Sequence, residues 1–276
     1  MEQMSNKKIN DIAIVAGQGL LPKIVYQGCL KKGLKCTIIG LKGELDEILF
    51  PNIKYQLFPP HKISLIFEYL KRLNISNIVI AGKVKRKHLS KLILDKTGIL
   101  IFKEIIKSGL NDSSIYSAIT KAIDKEGFKI IPPELIAEDV LAKKGSMNPI
   151  QITEKLKKDI NKGVEILRGI IEHDVGQALI IDNGLVLGVE AVEGTNNLIK
   201  RCAKYRENTK GGILIKLCKP HQDKRLDLPC IGPDTIKTIA RYGYKGIVIE
   251  AKKSIIIAST EVIKFASNRG IFIYGI

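Results

Sequence analysis

The sequence predicts an α/β protein of two domains, an N-terminal Rossmann-like open parallel sheet followed by a C-terminal mixed α/β (α+β) domain. Three observations predict it. Short apolar runs alternate with amphipathic stretches through the first half, as strands do when crossover helices join them. The stretch PPELIAEDVLAKKGSMNP puts three prolines and a Gly-Ser between two ordered halves. The chain's 276 residues also exceed the roughly 100–200 that one core commonly serves. The expected division is 1–132 for the nucleotide- or phosphate-binding domain, 133–149 for a connector and 150–276 for the catalytic domain.

The elements follow in order. DIAIVAG (11–17) is an apolar run ending in glycine, suited to a buried parallel strand. LLPKIVYQGCLKKG is an amphipathic helix closing at Gly33, and LKCTIIG a second strand. PPHKISLIFEYLKRLN is a helix and ISNIVIAG (75–82) a third strand. Helical stretches run to about residue 126, before a short strand FKII (128–131) stopped by Pro132 and Pro133. The second half opens on a long helix, IQITEKLKKDINKGVEILRGIIEHD. A hairpin, QALIIDNGLVLGVEAVEG, turns at Asp182-Asn183-Gly184. A helix from Thr195, a strand GGILIKL, a charged loop and a helix from about Pro233 come next. GIVIEA, SIIIAS, a helix and GIFIYGI complete the chain.

Composition narrows the chemistry. A net charge of +17 suits an anionic partner: nucleic acid, a phosphorylated substrate or an anionic membrane face. It equally suits lysines spread over every solvated face, since Lys far outnumbers Arg. The absence of Trp and the scarcity of aromatics argue against a platform for stacking bases. Five cysteines without a CxxC pair fit free thiols in a reducing compartment. No run approaches the ~20 apolar residues of a membrane span, and the polar MEQMSNKKIN has no signal core behind it. A cytoplasmic protein is expected.

Four constellations can carry chemistry. In VAGQGLLP, a strand leads through Gly17, Gln18 and Gly19 into a helix, which would aim free N–H groups and a positive helix end at a phosphate. Lys23 stands near the place of the third glycine of a dinucleotide fingerprint, so the loop is not an NAD motif. In IAGKVKRKHL, Lys83, Lys85, Arg86 and Lys87 follow a strand end, where open sheets bind ligands. Asp112, in GLNDSS, either caps a helix or faces a ligand. Glu190 and Glu193 follow a strand before Gly194-Thr195 enters a helix; Thr195 suits an N-cap, and either glutamate suits a metal or a ribose hydroxyl.

The last is KPHQDKRLDLPCIGPDT (219–235). Asp223, Asp227 and Asp234 are hard oxygen ligands of the kind Mg²⁺ or Mn²⁺ accepts, with cations beside them for anionic oxygens. Two such carboxylates 4 Å apart repel by roughly 4 kcal/mol at an effective dielectric near 20. Lys224 and Arg225 relieve that repulsion, as would a divalent ion. Prolines 220, 229 and 233 stiffen the loop, as a site held ready requires. The alternative is a solvated loop in which Asp234 only caps the following helix. No GxSxG elbow, Cys-His signature or P-loop is present.

Taken together, AGQGLLP, GLNDSSIYSAI…EGFKII, DVGQALIIDNGLVLGVEAVEGT and KPHQDKRLDLPCIGPDTI resemble, in that order and over nearly the whole chain, the LpxI-type UDP-2,3-diacylglucosamine pyrophosphatases. The last two motifs are the most specific. The resemblance implies cleavage of UDP-2,3-diacylglucosamine to UMP and 2,3-diacylglucosamine 1-phosphate in lipid A biosynthesis. It also implies a divalent metal, typically Mg²⁺, two domains that clasp the substrate, and work at the cytoplasmic face of the inner membrane. Gln222, Asp223, Arg225, Asp227, Asp234 and Thr235 hold the places of the family's Gln-Asp-x-Arg-x-Asp-Leu-Pro…Gly-Pro-Asp-Thr pattern, in which one aspartate is essential. The family's N-terminal loop is often glycine at each position, whereas Gln18 stands between the glycines here.

With that family in view, Asp223 and Asp227 are expected to hold the ion, directly or through water, and one of the three aspartates to activate the attacking water. Arg225 would fork phosphate oxygens, and Gly17, Gly19 and Lys83 would hold the nucleotide or phosphates. Three rivals stand beside it: a nucleic-acid binder, against which the sparse aromatics and the acidic cluster count; an NAD-dependent sugar-nucleotide enzyme; and a non-catalytic lipid or nucleotide carrier.

Overall fold

A computed structural model describes residues 11–85, 95–109, 112–206, 208–220, 223, 225–226 and 228–276, without the side chains of Asp112 and Ser113. The chain divides into two units between Glu138 and Asp139.

In the first unit, β1 (Asp11–Ala16), β2 (Lys35–Leu41), β3 (Tyr55–Phe58), β4 (Asn77–Ala81) and β5 (Lys129–Ile130) form one sheet in the order β3-β2-β1-β4-β5. Every pairing is parallel, with Ile14 opposite both Ile38 and Val79. β1 is central and covered on both faces, so Ile12, Ala13 and Ile14 are fully buried and the strand reads as a continuous apolar run. α1 (Leu21–Lys31), α2 (Ile63–Arg72), α3 (Lys96–Ser108) and α4 (Asp112–Lys125) make the crossovers. Asp95, 5% exposed, caps α3 by accepting from the Gly98 N–H at 2.9 Å. It also accepts from the Ser64 N–H, which ties α2 to α3.

The second unit holds β6 (Gly145–Ser146), α6 (Glu154–Ile171), β7 (Ala178–Asp182), β8 (Leu185–Val189), α7 (Thr195–Cys202) and β9 (Ile213–Lys216). β10 (Cys230–Ile231), α8 (Pro233–Arg241), β11 (Gly246–Ile249), β12 (Ile255–Ile256), α9 (Ser259–Asn268) and β13 (Phe272–Gly275) follow. Its main sheet runs β6-β13-β11-β9-β7-β8. β9, β11 and β13 are parallel, while β6, β7 and β8 enter antiparallel. One face packs Leu198, Ile236 and Val262 of α7, α8 and α9 against Ile180, Leu214 and Ile247. The other packs Ile160, Leu167 and Ile171 of α6 against Ile213, Ile215 and Val248. Asn183 and Gly184 both take positive φ, as a two-residue hairpin turn requires, and the buried Asp159 accepts from both their N–H groups.

Two features differ from the sequence expectations. The edge strand β3 was not expected: none of its residues is fully buried, so it lacks the apolar signal of its neighbours. SIIIAS, expected as a strand, keeps only Ile255 and Ile256 in β12, which pairs with β10 in a separate parallel ribbon rather than joining the main sheet. Within 133–149, α5 (Pro133–Ile136) packs on α1, and β6 pairs with β13. No described helix is long and apolar enough to cross a membrane. All five cysteines are free thiols.

Candidate active site

The order of the first sheet places its topological switch point between β1 and β4, whose carboxyl ends lead into Gly17-Gln18-Gly19 and Gly82-Lys83. Gln18 and Lys83 exchange backbone hydrogen bonds, Gln18 N–H to Lys83 O at 2.9 Å and Lys83 N–H to Gln18 O at 3.0 Å. The structure thus brings Gly17, Gln18, Gly19 and Lys83 together. Their N–H groups are not free, which corrects the expected cradle. Gly17 donates to Ala81 O at 2.8 Å, and Gly19 donates to the Asp46 carboxylate at 2.6 Å. A carboxylate already occupies the place beside the start of α1 that suits an anion. The glycine at 17 answers to packing, since a Cβ there would lie 2.4 Å from Lys83 O. The Lys83 and Lys85 side chains are exposed, while Arg86 and Lys87 lie outside the described residues. Asp112 begins α4, and its side chain is likewise outside them.

In the second unit, polar side chains gather where β8 and β9 end and β7 begins. Lys216, the last residue of β9, is 5% exposed and its ammonium donates to Thr195 Oγ1 at 2.7 Å. Thr195 Oγ1 donates to Glu190 Oε1 at 2.6 Å, and Lys216 Nζ lies 4.0 Å from that same oxygen. Glu190, 7% exposed, also accepts from the Gln177 N–H at 3.4 Å. Its backbone is fixed by close approach, because a Cβ on Gly176 would lie 1.9 Å from Glu190 O. Gly176→Ala is therefore expected to destabilise the protein by about 1–3 kcal/mol and to weaken activity through Glu190, as chemical denaturation and turnover will show. Thr195 is the first residue of α7 rather than its N-cap; Gly194 holds that position with φ 78°. Glu193 is occupied elsewhere. It accepts from Arg201 at 2.6 Å, and that guanidinium holds its carboxyl below the usual carboxylate range.

The loop after β9 begins between two anchors. The Cys218 N–H donates to a Glu250 carboxylate oxygen at 3.2 Å, just past β11, and Lys219 Nζ meets Asp174 Oδ1. Asp223 Oδ1 accepts from the Arg225 N–H at 3.0 Å and from its Nε at 3.1 Å, while Oδ2 accepts from Nη2 at 3.0 Å. Arg225 thus pairs with Asp223 as a two-pronged fork. The loop's far end is pinned where Ile255 donates to Pro229 O and Ile257 to Ile231 O. Asp234 lies in the first turn of α8, exposed, and does not cap it; Gly232 is the N-cap and carries no side chain to do so. Thr235, one residue on, is buried. Gln222 and Asp227 lie outside the described residues.

Among the described residues, no three His, Cys, Asp or Glu side chains gather into a cage for an ion. Mg²⁺ commonly takes one or two protein carboxylates and fills its shell with waters and phosphate oxygens.

Sequence reasoning missed Lys216, Gln177 and the Lys219–Asp174 pair. The signal for Lys216 was present in GGILIKL, where a lysine ends an otherwise apolar run.

The family of the LpxI N-terminal domain matches residues 11–140, and that of the LpxI C-terminal domain matches residues 143–274. The chain belongs to the LpxI family. A relative from Caulobacter vibrioides, named UDP-2,3-diacylglucosamine pyrophosphatase LpxI, is 29% identical over 274 residues, covering 96% of this chain and 97% of its own. Among solved structures, the Bordetella bronchiseptica enzyme WbmG with NAD and UDP aligns with a TM-score of 0.28 at 12% identity, over 55% of this LpxI chain and 60% of WbmG. WbmG with NAD alone gives 0.30 at 10%, over 76% and 73%. Likeness at that level carries no argument.

Proposed function

We propose that this LpxI chain hydrolyses the pyrophosphate bond of UDP-2,3-diacylglucosamine, releasing UMP and 2,3-diacylglucosamine 1-phosphate on the path to lipid A. The observation that carries the reading is the match of both halves, in order, to the two LpxI domains, with a relative of that name along 96% of the chain. The chemistry of the second unit supports it. Pyrophosphate hydrolysis must neutralise charge as water attacks phosphorus. Lys216, Lys219 and Arg225 are cations at or just after the end of β9. Asp223 fixes the plane of the Arg225 guanidinium, a group whose planar donors suit phosphate oxygens. Asp223, Asp227 or Asp234 takes the proton of the attacking water. A bound Mg²⁺ or Mn²⁺ would supply charge neutralisation at the phosphate oxygens, with Asp223 and Asp227 as its protein ligands.

Purified protein incubated with UDP-2,3-diacylglucosamine and Mg²⁺ is expected to release UMP, and a chelator is expected to stop it. No UMP in any condition overturns the function, and release indifferent to chelator removes the metal alone. In ¹⁸O-water the label is expected in the lipid product, as attack at the sugar-side phosphorus requires; label in UMP reverses that assignment.

The reading includes contact with an anionic bilayer. On α3 the exposed Ile99, Leu100 and Ile106 share one face with the exposed Lys96 and Lys103, an apolar stripe between cations. Each lysine near an anionic surface contributes about 1 kcal/mol. Wild-type protein is expected to float with vesicles containing phosphatidylglycerol and not with pure phosphatidylcholine. Replacing Ile99, Leu100 and Ile106 together with serine is expected to abolish flotation; undiminished flotation would remove α3 from the reading.

A further inference from the structure

We propose that Lys216 is a phosphoryl-binding residue: its ammonium, held at the end of β9 by Thr195 and Glu190, donates to an oxygen of the substrate's pyrophosphate. The proposal rests on the pyrophosphatase reading and adds to it a residue outside the loop motif. Burying a lysine is costly, and the cost is commonly met by a close ion pair with every donor filled. Lys216 lacks that arrangement. It is 5% exposed, yet of its three N–H donors one reaches Thr195 Oγ1 at 2.7 Å, and Glu190 at 4.0 Å is beyond hydrogen-bonding distance. Thr195 turns its own proton to Glu190, so its lone pair is committed to the ammonium. Glu190 balances the charge without consuming the donors. Two N–H groups remain for an acceptor.

Two amide oxygens on residues close in sequence to this cluster also lack partners. Gln177 Oε1, on the residue whose N–H reaches Glu190, is buried and has no hydrogen-bond partner. Asn196 Oδ1, beside Thr195 in the first turn of α7, is buried and equally unmet. A phosphoryl ester fits the ammonium, with oxygens to accept from Lys216. Lys216 also stands at the carboxyl end of β9, parallel to β11, and the chain runs directly from it into the loop of Asp223 and Arg225. A purely structural ammonium would have no reason to keep two donors open at that edge.

The test compares wild type, Lys216→Met, Lys216→Arg and the charge-neutral double variant Glu190→Gln/Lys216→Met. Each is assayed for turnover of UDP-2,3-diacylglucosamine and for the rise in Tm caused by inorganic pyrophosphate with Mg²⁺. Methionine conserves the apolar stem but leaves Glu190 as a lone buried charge, so without ligand Lys216→Met is expected to unfold below the wild-type Tm and the double variant near it. It is expected to lose about 10²–10³-fold in kcat/KM, the usual effect of removing one donor to developing charge, and to lose the pyrophosphate-induced rise. Arginine should recover part of both. The double variant covers the case in which the lone Glu190 charge unfolds the single variant. Turnover within about threefold of wild type, an undiminished rise in Lys216→Met, or no rise in the wild type overturns the proposal. A wild type that is stabilised by pyrophosphate through Lys216 but releases no UMP would keep the lysine site and discard the pyrophosphatase reading.

Discussion

Asp223→Asn and Asp227→Asn are each expected to lower kcat by about 10²–10⁴-fold with the fold intact, measured as UMP release at saturating substrate and Mg²⁺ beside far-UV circular dichroism. For Asp223 the geometry says why. Both its oxygens accept from Arg225, so the carboxylate sets the position of the guanidinium as well as presenting its own charge. Asparagine keeps one acceptor and loses the charge, so Arg225 loses half of its fork, and the loop holds one negative charge fewer for a cation. Both groups are partly exposed, with the Asp223 side chain at 21% and Arg225 at 39%, so their pairing contributes little to stability and the loss falls on turnover. Arg225→Lys separates the two roles. It preserves the positive charge and abolishes bidentate geometry, and it should raise KM more than it lowers kcat. Ordinary turnover in both aspartate variants would move the catalytic centre out of this loop.

The parts legible in the sequence are those in which one local signal decides the outcome. β1 and β4 lie inside the sheet, so DIAIVA and NIVIA are apolar after their first residues, and glycines follow them where the chain must turn closely. Asn183-Gly184 marks its hairpin because both residues need positive φ. β3 was illegible for the opposite reason: an edge strand with Gln56 exposed and no fully buried residue carries no strong pattern. The site divides along the same line. Sequence alone offered Glu190, beside Glu193, as a ligand and Thr195 as a helix cap. Lys216 joins them only because β7 lies between β8 and β9, a relation set by strand order rather than by spacing. In the loop of Gly17 to Gly19 the N–H groups expected to be open are already bonded. Its glycines imply open N–H groups, but the donors are taken by Ala81, Lys83 and Asp46, and Asp46 lies 27 residues along the chain. A tight turn and an anion cradle look alike until the acceptors are known.

Gly82→Val is expected to be the most damaging single substitution for the first unit. Gly82 sits at φ +91°, where an L side chain is strained by about 1–3 kcal/mol and a β-branched one fares worst. Its Cβ would also lie 2.7 Å from both Gln18 O and the Gly17 carbonyl carbon, which are backbone atoms that no rotamer change can move aside. Overpacking of that kind adds about 1–3 kcal/mol. The two penalties, about 2–6 kcal/mol together, stand against a domain stability of about 5–15 kcal/mol. The damage is directional, because relieving the contact means separating the carboxyl ends of β1 and β4 and breaking the Gln18–Lys83 bridge. Hydrogen exchange should therefore quicken first at Gly17, Gln18 and Lys83, whose amides donate across that junction, and then along β1 and β4. The amides of β9 and β11, in the second unit, should exchange at wild-type rates. Unchanged protection at Gly17 and Gln18 in the variant would mean that the two strand ends tolerate a side chain between them, and that their glycines are there for a ligand after all.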